Sequence, residues 1–461
     1  MDKIYALADH IVNTDFDKLP EDVVKKTKLF ILDSLGVAIA AADGAGIKEV
    51  LDLLKEQGGK EESTVYSYGG KLNALDATLV NSMIVHSLDL DDLHEGVIVH
   101  PSSTQIPVAF AVAEQLPEKV SGKDLITAIV LGGDVSCRVA AGITDGIGFI
   151  RSGICGIFGA VANAAKLRGC DRDQIVHAMG IAFSQTAGNA QVLQDGALVK
   201  RMQPGFAGRD GIMSVYLAEK GITGSTRVME GKFGFLELYK RGEIDADNIV
   251  KDLGKVYEMS NVSVKPYIGG RYIHGPAELG IALAKEHNIT PDQVAEMNVY
   301  LPQTAYTYVG APFDLNRGNI QVMVQFNATY GAAAGFVRGD LFIGELDEDV
   351  IRDPVINELI PKVKLYVDES VKVPMATTPV TLEIKTKSGE TYKKSVQDLK
   401  GHPNNFLTEE EFIEKFRKCV KFSNNKPSDE NVEKIIDLVM SLENLSDVSA
   451  IPELLVKEQR C

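Results

Sequence analysis

A chain of 461 residues is longer than a single hydrophobic core usually supports, so we expect two domains. The composition, with 45% hydrophobic and 24% charged residues, is typical of a globular protein. The net charge of −16 argues against a nucleic acid or an anionic membrane surface as a partner.

The five cysteines are scattered along the sequence. They have neither the close spacing of a zinc or iron–sulfur site nor the density of a disulfide scaffold, so we expect a reducing, cytoplasmic compartment. The N-terminus lacks the charged-then-apolar pattern of a signal peptide, and no run of about 18 apolar residues is present to cross a membrane. The cysteines are Cys137, Cys155, Cys170, Cys419 and Cys461.

Helical periodicity dominates the first part of the chain. Apolar residues at three- and four-residue steps predict a helix that begins after Pro20 and ends near Gly44. Gly153, Gly156 and Gly159 lie three residues apart, and because no strand precedes them, close helix packing explains them better than a phosphate-binding loop. Further helices are predicted at residues 47–57, 76–88, 107–116, 124–141, 153–168, 173–187 and 205–220.

The pattern changes near Lys265, where two-residue alternation with β-branched residues begins. We predict a smaller α+β domain over residues 266–400, and a large helical domain made of residues 1–265 and 401–461. The smaller domain is then an insertion before the C-terminal helices, the first of which follows a capping signature at Thr408–Glu411. The predicted strands are 296–301, 363–367, 380–384 and 391–395, with a hairpin turn at 387–390, and the predicted helices between them are 275–287, 319–337 and 347–359.

Residues 86–102 hold an unusual number of titratable groups between two apolar helical patterns. So many such groups are costly to bury unless they line a cleft, so we interpret this segment as one wall of an active site. The alternative is an exposed acidic loop that caps a helix. The groups are His86, Asp89, Asp91, Asp92, His94, Glu95 and His100.

The segment 196–205 combines Lys200, Arg201 and Gln203 just before a helix rich in small residues. The partial positive charge of a helix N-terminus adds to these cations, so the segment is a candidate carboxylate-binding site. The alternative is a solvated basic turn between two helices.

The segment 264–275 lies at the predicted domain junction, where ligand clefts often form. It contains Lys265, Arg271 and His274, although a histidine in this position is also common as an ordinary residue at the end of a helix. Farther along, Tyr330 precedes a run of very small residues. A buried phenol needs a polar partner, so Tyr330 is either tied into the core or directed at a cleft as an acid or hydrogen-bond donor.

In combination, these segments resemble the MmgE/PrpD family, which includes 2-methylcitrate dehydratase, cis-aconitate decarboxylase and iminodisuccinate epimerase. The resemblance covers nearly the whole chain, and it depends on the order and spacing of many short motifs. These are Leu32–Val37, Asp89–Asp92, His100–Ser102, Gly153–Gly159, Ala164–Leu167, Lys200 with Pro204–Gly205, Lys265–Tyr267, Arg271–Tyr272 with His274, Tyr330, and Gly401–Pro403.

The resemblance implies a mainly α protein, with a large all-helical domain and a smaller α+β lid domain inserted before the C-terminal helices. It also implies a homodimer that acts on a small di- or tricarboxylate without a metal or an organic cofactor. The family's catalytic positions, which line a pocket between domain and lid, correspond here to Asp89, His100, Lys200, His274 and Tyr330. We add His94, Arg151, Gln203, Arg271 and Lys265 as candidate substrate-binding residues.

Three positions depart from the family pattern. Leu93 stands where decarboxylase-like members have a threonine, in a loop that is one residue longer, and Ile150 stands where many members have a histidine. The family histidine that follows Lys200 is replaced by Gln203. His94 or Arg151 are candidates to compensate for these changes.

We therefore predict a cofactor-independent lyase that dehydrates a small hydroxy polycarboxylate such as 2-methylcitrate. The reaction requires a base near a carbon-bound hydrogen and stabilisation of the charge that develops on the neighbouring carboxylate. Lys200 and Arg271 are assigned to carboxylate binding, His100 and His274 to proton transfer, and Tyr330 to proton donation. Asp89 is either a base or the residue that orients a histidine. The alternatives are an isomerase or epimerase, a cis-aconitate-type decarboxylase, and a non-catalytic relative that binds polycarboxylates.

Overall fold

The structure is a computed structural model that describes residues 1–143, 148–240, 244–316, 319–373 and 375–456, apart from the side chain of residue 194. Helices hold 58% of the residues and strands 8%, which confirms the prediction of a mainly α protein. The chain forms two compact units. The large unit consists of residues 1–87, 91–263 and 408–461, and the small unit consists of residues 88–90 and 264–407.

The first part of the large unit is helical except for one short antiparallel ribbon, in which Ser63 pairs with Leu72. Asn73 caps α4 by accepting the backbone N–H of Asp76, and Ser121 caps α6 in the same way through Asp124. The elements are α1 (Lys3–Asn13), α2 (Glu21–Ala41), α3 (Ile47–Gln57), β1 (Ser63–Thr64), β2 (Lys71–Leu72), α4 (Ala74–Val85), α5 (Pro101–Gln115), α6 (Gly122–Ala141), α7 (Arg151–Ile154), α8 (Gly156–Leu167), α9 (Arg172–Phe183), α10 (Gln191–Asp195), α11 (Gln203–Glu219), α12 (Phe235–Tyr239) and α13 (Asp247–Val250).

The small residues of α8 allow it to pack closely on α6 in the core of the large unit. A Cβ atom added to Gly159 would lie 1.9 Å from Ser136 Oγ and 2.2 Å from the carbonyl oxygen of Gly132, so only glycine fits there. This contact shows that Gly159 serves helix packing, as predicted, whereas a Cβ atom on Gly153 would meet the carbonyl oxygen of Ala187 at 2.7 Å.

The small unit contains a four-stranded sheet with the strand order β4–β3–β5–β6. Strands β3 and β4 are parallel, whereas the other neighbours are antiparallel, and Val299 of β3 pairs with both Leu365 and Leu382. Helices α14 and α17 pack closely, since a Cβ atom on Gly335 would lie 2.8 Å from the carbonyl oxygen of Ala277. The elements are α14 (His274–His287), β3 (Val294–Leu301), α15 (Gln303–Val309), α16 (Ile320–Gln325), α17 (Ala328–Arg338), α18 (Glu348–Ile351), α19 (Pro354–Leu359), β4 (Val363–Val367), β5 (Val380–Thr386) and β6 (Thr391–Val396).

The chain then returns to the large unit with α20 (Glu409–Lys421), α21 (Asp429–Met440) and α22 (Ala450–Leu454). Thr408 and Glu411 form the predicted capping box at the start of α20. In the part of the chain that the structure describes, no helix combines the length and the apolar character needed to cross a membrane.

Several predicted helix boundaries were wrong. The helix predicted at 107–116 begins at Pro101 and contains Pro107, and the helix predicted at 173–187 ends at Phe183. Three predicted helices are each split in two, because local breaks and caps interrupt an otherwise helical pattern. The breaks lie at Cys155, at Asn327, whose side chain caps α17, and at Asp353, whose side chain caps α19.

Candidate active site

Hydrogen bonds within the large unit fix residues 91–99, the later part of the loop between α4 and α5. Leu93 and Ser263 exchange two backbone hydrogen bonds, and the backbone N–H of His94 donates to Val99. The Asp92 carboxyl accepts both the backbone N–H and the hydroxyl of Ser102 in the first turn of α5. Burial raises the pKa of Asp92 well above its usual value, and the hydrogen bonds from Ser102 oppose this shift.

His100 is placed at the N-terminal end of α5 by contacts to its own backbone. Its N–H donates to Ser152 Oγ at 2.9 Å, and its carbonyl oxygen accepts the hydroxyl of Ser103 at 3.0 Å. These two hydrogen bonds fix the backbone of His100, so the position from which its imidazole extends is also fixed.

Asp91 joins His86 and His100 into one buried cluster. Its Oδ2 atom lies 2.7 Å from His86 Nδ1 and 3.2 Å from His100 Nδ1, and the two imidazole rings are 4.8 Å apart in an edge-to-face arrangement. The side chain of Asp91 is fully buried, that of His86 is 1% exposed and that of His100 is 14% exposed. Of the two histidines, His100 is therefore the one that solvent or a ligand reaches.

The protonation of this cluster follows from its contacts. Burial opposes ionisation of Asp91, but the two histidines outweigh it and hold the pKa of Asp91 well below its usual range. An ionised carboxylate only accepts hydrogen bonds, so His86 Nδ1 carries hydrogen and donates. The 3.2 Å contact of His100 Nδ1 with the same carboxylate oxygen likewise favours a hydrogen on His100 Nδ1. A neutral His100 consequently has its lone pair on Nε2, which is the arrangement that a general base requires.

Lys200 brings positive charge to the same cluster. It lies in the 3-10 helix Leu198–Met202, which leads into α11, and its charge is close enough to contribute to the lowered pKa of His86. The neighbouring Arg201 donates to the carbonyl oxygen of Ala45, so the two cations have different surroundings. Of these two cations, Lys200 is therefore the one whose charge acts on the histidine cluster.

Three further candidates of the large unit are occupied by internal hydrogen bonds. His94 Nε2 lies 3.1 Å from a carboxylate oxygen of Glu258. Arg151 donates to the carbonyl oxygens of Val97 and Ala140. The Gln203 amide both accepts from and donates to the backbone of Asn189. These contacts favour roles in holding the loops of the large unit.

In the small unit, Lys265 and Asp89 form a buried ion pair. Lys265 Nζ lies 2.8 Å from Asp89 Oδ1 and 2.8 Å from its carbonyl oxygen, and Lys265 is 1% exposed. Asp89 has a φ of 55°, in the left-handed region, where a non-glycine residue needs support from its surroundings. Lys265 supplies that support, so the two predicted residues occupy one local structure.

His274 is held by Arg271 in the small unit. Arg271 Nη1 lies 3.2 Å from His274 Nδ1 and also donates to the carbonyl oxygen of Lys400. Because a guanidinium only donates, Nδ1 of His274 must be the acceptor, and a neutral His274 carries its hydrogen on Nε2. Its tautomer is therefore the opposite of that of His100, and its Nε2 atom is a hydrogen donor.

Tyr330 is tied into the core of the small unit. It is 1% exposed, and its hydroxyl donates to the carbonyl oxygen of Glu345. Burial, followed by the charge of Glu345, raises the pKa of Tyr330. Of the two interpretations made from the sequence, this geometry favours the structural one.

Comparison with protein-family models gave two matches. The MmgE/PrpD N-terminal domain matches residues 5–246, and the MmgE/PrpD C-terminal domain matches residues 267–442. The chain belongs to the MmgE/PrpD family. This confirms the resemblance stated from the motifs.

Curated MmgE/PrpD relatives are similar to the chain over almost its whole length. The cis-aconitate decarboxylase-like protein oryM of Aspergillus oryzae is 27% identical, and the match covers 95% of this chain and 94% of the relative. A cis-aconitate decarboxylase of Aspergillus terreus is 27% identical, with 96% and 94% covered. The cis-aconitate decarboxylase of Homo sapiens is 25% identical, with 95% and 91% covered. These similarities support a lyase at the level of the family.

His86, Asp91 and His100 offer donor atoms that lie within 4.8 Å of one another, which raises the question of a metal. The 2.7 Å separation of His86 Nδ1 and Asp91 Oδ2 is a hydrogen-bond length, whereas two ligands of one tetrahedral zinc ion are about 3.3 Å apart. Lys200 also places a positive charge near this group. The geometry therefore fits a hydrogen-bonded cluster better than a metal site.

The residues that sequence reasoning missed in this MmgE/PrpD chain are His86 and Asp91. Both were noted among the titratable groups, but neither was selected as a site residue. The available signal was an aspartate between two histidines, directly after the predicted end of a helix. Without the path of the loop, that pattern does not show which histidine reaches the aspartate.

Proposed function

We propose that the chain is a lyase that acts at carbon next to a carboxylate of a small di- or tricarboxylate, without a metal or an organic cofactor. The observation that carries the proposal is the contact between His100 Nδ1 and the buried Asp91 carboxylate. It leaves the lone pair of a neutral His100 on Nε2, and the His100 side chain is the most exposed of the three in the cluster. His100 is therefore our candidate for the base.

Dehydration of a hydroxy polycarboxylate such as 2-methylcitrate is the reaction that we propose first. His100 removes the proton from carbon next to a carboxylate, and the electron pair of that C–H bond forms the C=C bond as the C–O bond breaks. The departing hydroxide takes a proton from a donor and leaves as water. Lys200 stabilises the negative charge that develops on the carboxylate.

For the proton donor we propose His274, because Arg271 leaves its hydrogen on Nε2. Arg271 and Lys265 remain candidates for carboxylate binding, although the Lys265 ammonium is already paired with Asp89. Tyr330 is a weaker candidate for donation than the sequence suggested, because its hydroxyl is bound to Glu345. In this proposal Asp91, and not Asp89, orients the catalytic imidazole.

Two other reactions also move a proton at carbon next to a carboxylate. In decarboxylation, carbon dioxide leaves with cleavage of a C–C bond, and a donor then delivers a proton to the carbanion that remains. Decarboxylation of cis-aconitate is supported by the names of the curated relatives. Isomerisation or epimerisation requires proton removal and return but no leaving group, and it is favoured by Ile150, which has no titratable side chain where many family members have a histidine.

The deciding experiment is incubation of the protein in deuterated water with citrate, 2-methylcitrate, cis-aconitate and amino-dicarboxylate derivatives, followed by proton NMR and mass spectrometry. An unsaturated product that has lost water supports dehydration. Released carbon dioxide supports decarboxylation, and deuterium in an isomer of unchanged composition supports isomerisation. Binding of an acid with no chemical change and no exchange of its carbon-bound hydrogens contradicts all three and supports a non-catalytic relative.

Two further predictions concern the protein as a whole. We propose a homodimer, which sedimentation equilibrium tests directly. We also propose a cytoplasmic, reducing location. The thiols of Cys137, Cys155, Cys170 and Cys419 are free in the structure, in keeping with this proposal, and Cys461 lies outside the described residues.

A further inference from the structure

We propose that His86 is a positioning residue for His100: by donating to the carboxylate oxygen that His100 also uses, it keeps Asp91 ionised and holds His100 as the Nδ1–H tautomer. This inference rests on the proposed function, in which His100 is the base.

The distances show which contact dominates. His86 Nδ1 lies 2.7 Å from Asp91 Oδ2, whereas His100 Nδ1 lies 3.2 Å from the same atom. His86 is at the C-terminal end of α4, and its backbone N–H donates to the carbonyl oxygen of Ser82. His86, whose backbone is fixed at the end of a helix, thus makes the shorter contact with Asp91 Oδ2. His100 makes the longer contact with the same atom.

A neutral donor is well suited to this position. Among the described residues, Asp91, Lys200 and His100 are the charged or titratable groups that shift the pKa of His86, and Asp92 follows Asp91 in the chain. Burial lowers the pKa of His86 to about 4; the charge of Asp91 opposes this shift, and Lys200 and His100 add to it. His86 is therefore neutral near pH 7, so it stabilises the negative Asp91 without repelling the positive charge that His100 acquires when it accepts a proton.

The cluster is not arranged for maximum stability. Among the residues that the structure describes, His86 Nε2 and Asp91 Oδ1 are buried without a hydrogen bond, and so is His100 Nδ1, whose contact with Asp91 Oδ2 at 3.2 Å lacks hydrogen-bond geometry. An unsatisfied buried polar atom destabilises a fold. An apolar side chain would fill a purely structural site without these unsatisfied atoms, so a histidine at position 86 points to a role in orienting the base.

Two variants separate orientation from packing. His86→Asn keeps an N–H donor near the position of Nδ1, whereas His86→Leu fills the space without a donor. In His86→Leu, Asp91 loses its stronger partner and attracts the proton on His100 more strongly. We expect the acidic limb of the pH profile of kcat/KM to move up by about 1–2 pH units in His86→Leu and to stay near its wild-type position in His86→Asn.

A second measurement does not depend on turnover. In protein labelled with 15N-histidine, long-range 1H–15N spectra report the tautomer and the pKa of His100 directly. The proposal requires the Nδ1–H tautomer in wild type and His86→Asn, and a raised pKa of His100 in His86→Leu. If no acid in the panel turns over, the proposed function fails, but this titration still tests the hydrogen-bond arrangement.

Three results would overturn the inference. The first is an unchanged pKa of His100 in His86→Leu. The second is the same upward shift in both variants, since that would show that the shape of the histidine matters and its N–H group does not. The third is a parallel loss of activity and thermal stability in both variants, which indicates a structural role alone. A melting temperature that is retained or raised in His86→Leu, together with the shifted profile, supports the inference.

Discussion

His100 directs its Nδ1 atom at a carboxylate oxygen of Asp91, 3.2 Å away, and Asp91 has no exposed side-chain surface. A carboxylate in this environment cannot exchange its partners for water, so it fixes one tautomer of the imidazole. The chemistry that we propose depends on this relationship, and so does the first prediction.

Asp91→Asn should lower kcat/KM by about 10²–10⁴-fold, because a neutral amide no longer holds the Nδ1–H tautomer of His100 or stabilises its protonated form. Steady-state kinetics on the acid identified by the panel gives the measurement. Asp92→Asn is the matched control: the Asp92 carboxyl binds Ser102, so this change leaves the contact between Asp91 and His100 in place and should cost less than tenfold. Equal losses in the two variants would contradict the assignment.

Lys200→Ala should raise KM or lower kcat/KM for every anionic substrate by roughly 10–100-fold, because it removes a cation next to the histidine cluster. Arg201→Ala removes the adjacent cation, which is bound to Ala45, and should leave the kinetics nearly unchanged. Kinetic measurements at two salt concentrations test whether the loss is electrostatic. If both variants behave alike, a general basic surface explains the effect.

His274→Gln should retain more activity than His274→Ala, because a glutamine amide can place an N–H group near the position of Nε2. We expect a loss of about 10²-fold or more for alanine and a smaller one for glutamine. Thermal denaturation of both variants serves as the control for folding. If the alanine variant loses activity only in proportion to its folded fraction, His274 is structural.

Glu258→Gln should make the large unit less sensitive to acid. Burial opposes ionisation of Glu258, but hydrogen bonds from His94 and Asn261 outweigh it and lower its pKa to about 2. A carboxyl with a lowered pKa contributes stability that is fully present above its unfolded pKa near 4.5 and is lost as the pH falls towards 2. We expect the variant to lose about 2–3 kcal/mol at pH 7 and to show a flatter dependence of unfolding free energy on pH in that window.

Urea unfolding at several pH values between 3 and 7 provides this measurement. The result also bears on His94, since a substrate-binding histidine would alter KM in Glu258→Gln, whereas a loop-fixing histidine would alter mainly stability. An unchanged slope between pH 4.5 and the acid transition would contradict the role given to the His94–Glu258 pair.

Lys415→Met should destabilise the protein by about 3–5 kcal/mol, because it leaves the carboxylate of Asp33 buried without its cation. Lys415 Nζ lies 2.5 Å from Asp33 Oδ1, and their side chains are 5% and 2% exposed. The double variant Asp33→Leu/Lys415→Met should recover most of the loss in urea unfolding. Lys421→Met, on the exposed side of α20, is the control and should change stability by less than 1 kcal/mol.

The sequence predicted those features that depend on local periodicity. Helix α3 has the predicted bounds, and the hairpin of β5 and β6 turns at Gly389, whose φ of 93° requires glycine. The parallel pairing of β3 with β4 was not predicted, because it joins residues more than sixty positions apart and leaves no local signature. Local caps such as Asn327 interrupt helices at positions where the apolar pattern of the sequence continues.

The candidate site was predictable only in outline. The large number of titratable groups in residues 86–102 indicates one wall of a site, and the positive charge of Lys200 indicates carboxylate binding. The sequence does not show that Gln203 binds the backbone of Asn189 or that Lys265 pairs with Asp89, because both contacts depend on how distant segments meet. The sequence does not show the tautomers of these histidines either. The partner of each Nδ1 atom decides the tautomer, and this partner is an acceptor for His100 and a donor for His274.

The ion pair of Asp89 and Lys265 has a consequence for protein engineering. Leu88–Leu90 belongs to the small unit although the chain on both sides belongs to the large one. A recombinant fragment of residues 264–407 would omit this tripeptide, so the Lys265 ammonium would be enclosed without a counter-ion and the amide of Gln325 would lose the Leu88 carbonyl that it binds. Chimaeras that exchange this unit between homologues should therefore transfer both pieces of sequence together.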